Sequence, residues 1–148
     1  MSGLEVLGIA ASAVQVAQVS LAIVTCLTSL FHQVRDAPKT VQTRLFHVQT
    51  LFEISRLIAS VPQLQTAEVD SVLRSCARDA EELREILRGL LDENDKSKMK
   101  KWTNAFRGIM SEKNVIDLLQ SLEVGKTSLA LCVAQIDSYG PNCCGQIG

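Results

Sequence analysis

The chain predicts an all-α fold, an antiparallel helical bundle of four long helices plus one short basic helix, on three observations. Hydrophobic residues make up 47% of the 148 and aromatic residues only 4%, so a core must be built from aliphatic side chains. Ala-rich and Leu-rich composition with only three prolines favours helices over sheets. Apolar residues recur at alternating three- and four-residue steps in long stretches, the period of a helix with one buried face. Runs that would supply the strands of an α/β sheet are missing. The length suits one domain, able to bury ~68–70% of the surface its unfolded chain would expose.

The first helix is expected from Ser2 or Gly3 to about Val34, with Glu5 in its first turn where a negative charge favours the helix dipole. Its middle is unusual. From Val6 to Phe31 there is no charged residue, and Ser12, Gln15, Gln18, Ala22, Ser29 and Gln33 form one polar and small stripe on a mostly apolar surface. Roughly 26 residues span ~39 Å, enough for a ~30 Å hydrocarbon core, yet Gln15 and Gln18 would then lie in lipid. Three readings follow: a transmembrane span, a central bundle helix, or an element packed in one state and membrane-inserted in another. The bundle reading is adopted for the resting protein, with this helix as its most buried member.

Arg35-Asp36-Ala37-Pro38 breaks the first helix, and Pro38 fits the first turn of the second. Val41, Leu45, Val48, Phe52 and Leu57 are its expected core row, and it ends before Pro62. Thr66 is read as the cap of a third helix, followed by the early acids Glu68 and Asp70. Val69, Leu73, Cys76, Ala80, Leu83, Leu87 and Leu90 define its buried row. The charges on the other side, Arg88 with Glu85 and Arg84 among them, read as a solvated face. Asp92 to Asp95 marks a turn, and a short basic helix is expected from Ser97 to Met110. The last long helix carries Val115, Leu118, Leu122, Leu129, Cys132, Val133 and Ile136, with Gly125 interrupting it at a cost of ~1 kcal/mol. The domain is expected over 1–137, with 138–148 a flexible tail.

The totals narrow the function. A net charge of −1 argues against a generally basic nucleic-acid binder. Five cysteines, an odd number with three inside apolar patterns and no metal-ligand spacing, indicate a reduced, cytoplasmic protein. The acidic start lacks the basic region of a signal peptide. Gly125-Lys126-Thr127-Ser128 resembles the end of a phosphate-binding loop. The full motif requires glycine where Gln120 stands and a strand where helix is expected, so it is rejected. His32 and His47 have no Cys or Ser partner at interpretable spacing. No catalytic residue, metal, cofactor or small-molecule substrate is assigned.

Two features carry interaction chemistry. Lys98, Lys100 and Lys101 are interleaved with Trp102 and Phe106, with no acid between Lys96 and Glu112. They read either as a solvated helix whose aromatics pack on the bundle or as a patch for anionic headgroups, with Trp102 at the interface. Cys143 and Cys144 are either acylation sites or two exposed thiols. They are not prenylation sites, because Gly145 occupies the fourth position from the end.

The opening MSGLEVLGIAASAVQVAQVSL resembles N-terminal domains of fungal NACHT and other STAND-type P-loop NTPases. The blocks LFHQVRDAPKTVQ, CARDAEELREIL and KMKKWTNAFRGIMSEKNVIDLLQSLE resemble the SesA domain in particular, and the similarity runs from about Ser2 to Asp137. The resemblance implies a helical signalling or effector module, related in role to the HeLo-like domains of fungal incompatibility and cell-death systems. In some of those relatives a hydrophobic N-terminal helix acts on membranes on oligomerisation, and Val6 to Phe31 is the matching element. The NTPase that follows in the family is absent from these 148 residues, so the chain is read as a stand-alone form or a fragment.

The expectation is therefore a non-enzymatic module acting by association with proteins, either itself or a separate NACHT/STAND NTPase, with recruitment to anionic membrane. Val6, Ile9, Val16, Leu27 and Phe31 would supply the apolar contact, and Lys98, Lys100, Lys101 and Trp102 would meet headgroups. The alternative is a structural adaptor that recruits a partner and never touches lipid.

Overall fold

Four long helices account for nearly all of the described chain: α1 (Gly3–Gln33), α2 (Lys39–Ser60), α3 (Ala67–Glu93) and α4 (Lys113–Ile147), with a 3-10 turn at Pro62–Leu64. The computed structural model describes residues 3–33, 39–93, 108 and 112–147, and the side-chain surroundings of 8–29, 39, 42–89, 108 and 112–136. The expected Pro38 junction and most of the short basic helix lie outside the described residues. Gly108 alone of that helix is described, helical and exposed.

Each helix buries a row at alternating three- and four-residue steps, the spacing that keeps one face toward a neighbouring helix. On α1 the row is Ile9, Ala13, Val16, Ser20, Ile23 and Leu27. On α3 it is Val69, Leu73, Cys76, Ala80, Leu83 and Leu87, as the sequence predicts up to Leu87. On α4 Val115, Leu118, Leu122 and Leu129 are buried as expected, while Cys132, Val133 and Ile136 pack against the core only in part. The α2 row differs from the expectation. Val48, Leu51, Ser55 and Ile58 are buried, Leu45 and Phe52 are half-buried, and Leu57 is 44% exposed.

The principal contacts pair α1 with α2 and α3, and α4 with the same two helices. The four helices thus form a ring in which α1 and α4 lie across one diagonal and α2 and α3 across the other. Among the described residues α1 contributes more buried residues than any other helix, as expected of the most buried member, but its expected central position is corrected. It is one of four corner helices, not a central one, and its outer side meets solvent. A charge-free sequence does not require burial all round when most exposed positions are filled by Ala, Gln, Thr and Ser, here with Val14 and Leu21 among them.

The chain crosses the α2–α3 diagonal in a turn that packs on α4, and the turn closes both helix ends. At the end of α2, the Val61 N–H donates to Leu57 O at 3.0 Å. The next two carbonyls, Ile58 and Ala59, accept from the buried Gln65 amide at 3.1 and 3.4 Å. Carbonyls in the last turn of a helix have no partner within it, so one side chain does the work of a missing turn. Thr66 then caps α3 as the sequence predicts, its Oγ1 accepting from the Val69 N–H at 3.3 Å and its carbonyl from the Asp70 N–H at 2.9 Å. Gln65→Ala leaves two carbonyls short of a donor and is expected to cost ~1–3 kcal/mol. Urea unfolding followed by circular dichroism measures it, and a loss near zero would mean that water replaces the amide.

The α3–α4 pair is held by registered contacts. Ser121 Oγ donates to Asp79 Oδ2 at 2.5 Å, and one turn on along α4 Gly125 lies against Cys76. The contacts descend α3 as they ascend α4, so these two helices run antiparallel. Backbone helix continues without interruption through Gly125 and on to Ile147, through the stretch expected as a loose tail.

Candidate functional site

Chemistry is thin on this surface, and the exceptions are structural. Among the described residues no group of three or more His, Cys, Asp or Glu is placed to hold a metal ion. His47 Nε2 on α2 lies 3.4 Å from Glu123 Oε1 on α4, which makes it a link between helices. Cys76 is buried against Gly125, and burial with the nearby Asp79 charge pushes its thiol up to about 12, far from a nucleophilic thiolate at neutral pH. Burial raises the Cys26 thiol as well.

The Gly125-Lys126-Thr127-Ser128 stretch sits within α4. A phosphate-binding loop works by turning free N–H groups toward the anion. Within a helix those groups are committed to intrahelical carbonyls. Thr127 Oγ1 is likewise engaged, donating to Glu123 O at 3.0 Å. Thr127 and Ser128 do line an open surface groove of about 500 Å³ with Gln120, Glu123 and Val124. The Glu123 carboxylate at its wall disfavours a phosphate there.

What the fold does build is a division of its outer surface by charge. Every exposed residue described on α1 is uncharged: Ala11, Val14, Gln15, Gln18, Leu21, Thr25 and Ser29. So is every exposed residue of α4 from 120 to 135: Gln120, Ser121, Val124, Thr127, Leu131, Ala134 and Gln135. Val14 and Leu21 are 43% and 47% exposed, and Val124 and Leu131 are 66% and 60% exposed. Across the other diagonal α3 turns out Arg74, Arg78, Glu82, Glu85 and Arg88, while the α2 face is mixed, with Glu53 and Arg56 beside the exposed Phe46 (62%) and Leu57 (44%). Arg74 pairs with Asp70 at 3.0 Å and Arg88 with Glu85 at 3.8 Å, and the half-buried Arg84 pairs with Glu81 at 2.8 Å beside them.

The residues singled out for lipid contact fall into two groups. Ile9, Val16 and Leu27 are 4%, 0% and 1% exposed and belong to the bundle core, so the resting fold does not present them. The side chains of Val6 and Phe31, and Lys98, Lys100, Lys101 and Trp102 altogether, lie outside the described residues, as do the side chains of Cys143 and Cys144. The apolar residues that α1 does present are Val14 and Leu21. They share a face with Gln18, so the polar stripe marks the correct side of the helix while the residues beside it went unnamed. The α4 face was missed altogether. Its signal was available as a second row, Gln120, Val124, Thr127, Leu131 and Ala134, repeating at four- and three-residue steps opposite the core row.

A family model described as an N-terminal domain on NACHT NTPases and P-loop NTPases, SesA, matches residues 6–129. The chain belongs to the SesA family. The match takes in α1, α2, α3 and the first half of α4, so the α1 face lies within it while the α4 face runs past its end at Leu131, Ala134 and Gln135. Family membership associates the domain with NLR-like NTPases and with signalling or effector work in that setting. No curated protein and no solved structure matches the chain.

Proposed function

We propose that this SesA domain is a non-enzymatic signalling module of a fungal NLR-like innate-immunity or programmed cell-death pathway, including heterokaryon incompatibility, and that it acts by protein association. The observation that carries this reading is the pair of outer helix faces, on α1 and on α4 from 120 to 135, whose exposed residues carry no charge and include Val14, Leu21, Val124 and Leu131. Solvated helices normally turn their charges outward. Faces that lack them are suited to meet another protein, either a second copy or a NACHT/STAND NTPase. The module is placed in the cytoplasm.

A second step, engagement of an anionic membrane by α1, is favoured by one further observation. Gly8–Ser29 has a mean hydropathy of 1.8 and is long enough to cross a bilayer, by length and composition alone. In this step α1 leaves the ring, because Ile9, Val16 and Leu27 reach lipid only when they give up the core. Lys98, Lys100, Lys101 and Trp102 would then anchor the adjacent segment at the headgroups.

Flotation of the intact chain with vesicles rich in phosphatidylserine tests the membrane step, with neutral vesicles as control. The chain has one tryptophan, Trp102, so quenching by brominated lipid reports on that position directly. Flotation with anionic vesicles only, with Trp102 quenched and binding lost in a Lys98→Glu/Lys100→Glu/Lys101→Glu variant, is the expected result. Absence of flotation at low salt would leave an adaptor that works through protein contacts alone.

A further inference from the structure

We propose that the outer face of α1 on one copy packs on the outer face of α4 on the next, so that the domain assembles head to tail with itself. This rests on the association reading above and names both the partner and the two surfaces. The α1 face carries the row Ala11, Val14, Gln18, Leu21 and Thr25, and the α4 face carries Gln120, Val124, Thr127, Leu131 and Ala134. Both rows alternate three- and four-residue steps, and each places a valine and a leucine seven residues apart. Rows of this period mesh side by side as knobs into holes. The open groove of about 500 Å³ beside Val124 gives an aliphatic knob from α1 a place to enter on its Val124 and Thr127 side, away from the Glu123 carboxylate that faces His47.

Charge selects the occupant. The α1 strip and the α4 strip between Gln120 and Ala134 expose no ion, with Asp117 at the edge of the latter and Glu123 paired to His47 beside it. A partner helix carrying ions along its contact row would therefore bury most of them unpaired, at a cost of several kcal/mol. The chain itself supplies a strip without ions for each of its own strips. The faces of α2 and α3 that flank a meeting of the two carry both signs, which avoids repulsion at the rim.

The diagonal placement of α1 and α4 decides the symmetry. A copy whose α1 is engaged still has α4 free on its far side. The contact is therefore heterologous and propagates into a ring or a filament, whereas a closed dimer would use one patch twice. Size sets the strength. The α4 strip is about 22 Å long and about 10 Å wide, roughly 220 Å² of projected contact, against about 800 Å² per partner in a stable complex. One contact is weak, and assembly grows with concentration.

Sedimentation equilibrium of the full chain over a concentration series is the test, with Leu21→Lys and Leu131→Lys, both at exposed positions, checked for fold by circular dichroism. The wild-type average mass is expected to climb past the dimer. Each variant alone is expected to stay monomeric, and an equimolar mixture is expected to form a one-to-one pair that grows no further. Leu21→Gln and Leu131→Gln replace either lysine variant that fails to fold. Assembly by one variant alone would mean that a single face pairs with itself, and would overturn the head-to-tail arrangement. A wild-type chain that stays monomeric at its highest soluble concentration would overturn the pairing altogether, whatever vesicle flotation shows. Loss of flotation alone touches only the membrane step.

Discussion

Val16→Asp is expected to unfold the bundle. Val16 is 0% exposed and sits in the α1 row that packs against α2 and α3. An aspartate there either stays ionised without a partner in an apolar core or takes up a proton at several kcal/mol of cost. Domains of this size are stable by roughly 5–15 kcal/mol, and the lost aliphatic packing adds to the penalty. Leu21→Asp, five residues along the same helix at a position 47% exposed, should change stability by only about 0.5 kcal/mol. Urea midpoints of the two variants therefore read the rotation of α1 directly. Equal stabilities would mean that α1 does not pack on the face containing Val16. The contrast also governs how lipid binding is tested. A variant such as Ile9→Asp or Val16→Asp confounds loss of a membrane contact with loss of the fold, whereas changes at Val14 or Leu21 do not.

The third helix was legible because its two faces differ in kind. Aliphatic residues occupy one side at helical spacing and ions the other, so only one rotation buries the first and solvates the second. On α2 the same reasoning gives the wrong rotation. Leu51 and Phe52 are neighbours, as are Leu57 and Ile58, so two rows about 100° apart are both apolar. The choice fell to the partners, which bury Leu51 and Ile58 and leave Phe52 half-buried and Leu57 exposed. Ser55 made the true row harder to see, since a serine in the middle of it reads as solvent-facing. It is 0% exposed, as is Ser20 on α1, and neither hydroxyl has a partner among the described residues. Both are small enough to sit where larger side chains would force the helices apart.

The candidate surface was legible only in part, for a related reason. Absence of charge marks α1 in the sequence, but it does not say which uncharged residues face inward. That follows from the ring arrangement, in which α1 has two neighbours and one open side. On α4 the ions Glu123 and Lys126 lie within the charge-free stretch and conceal it in one dimension. In three dimensions Glu123 turns toward His47 of α2, at the edge of the groove beside the outer row, and Lys126 lies half-buried on the flank, so neither stands in the row itself.

Gly125→Ala is expected to destabilise the fold, although alanine is the better helix former by ~1 kcal/mol. A Cβ at Gly125 would overlap Cys76 Sγ, while the neighbouring Val72 Cγ1, at 3.9 Å, would be in ordinary contact. Cys76 is only 2% exposed and its thiol has little room to turn away. The crossing is also held one turn away by Ser121 to Asp79 on α3, while Glu123 to His47 ties α4 to α2. The helices thus cannot part at Gly125 without lengthening contacts one turn away. Overpacking of this kind costs ~1–3 kcal/mol, more than the propensity gain in most of that range. Removing the obstruction should reverse the sign. Cys76→Ala alone leaves a small void and loses stability. The double variant refills that void with the new Cβ and is expected to approach or exceed the wild type. The coupling between the two sites, ~1–3 kcal/mol by a double-mutant cycle in urea, is the quantity to measure. Strictly additive effects would mean that α3 and α4 do not meet through this pair. A coupling in the stated range would show why a glycine that weakens the helix as an isolated segment strengthens it in the bundle.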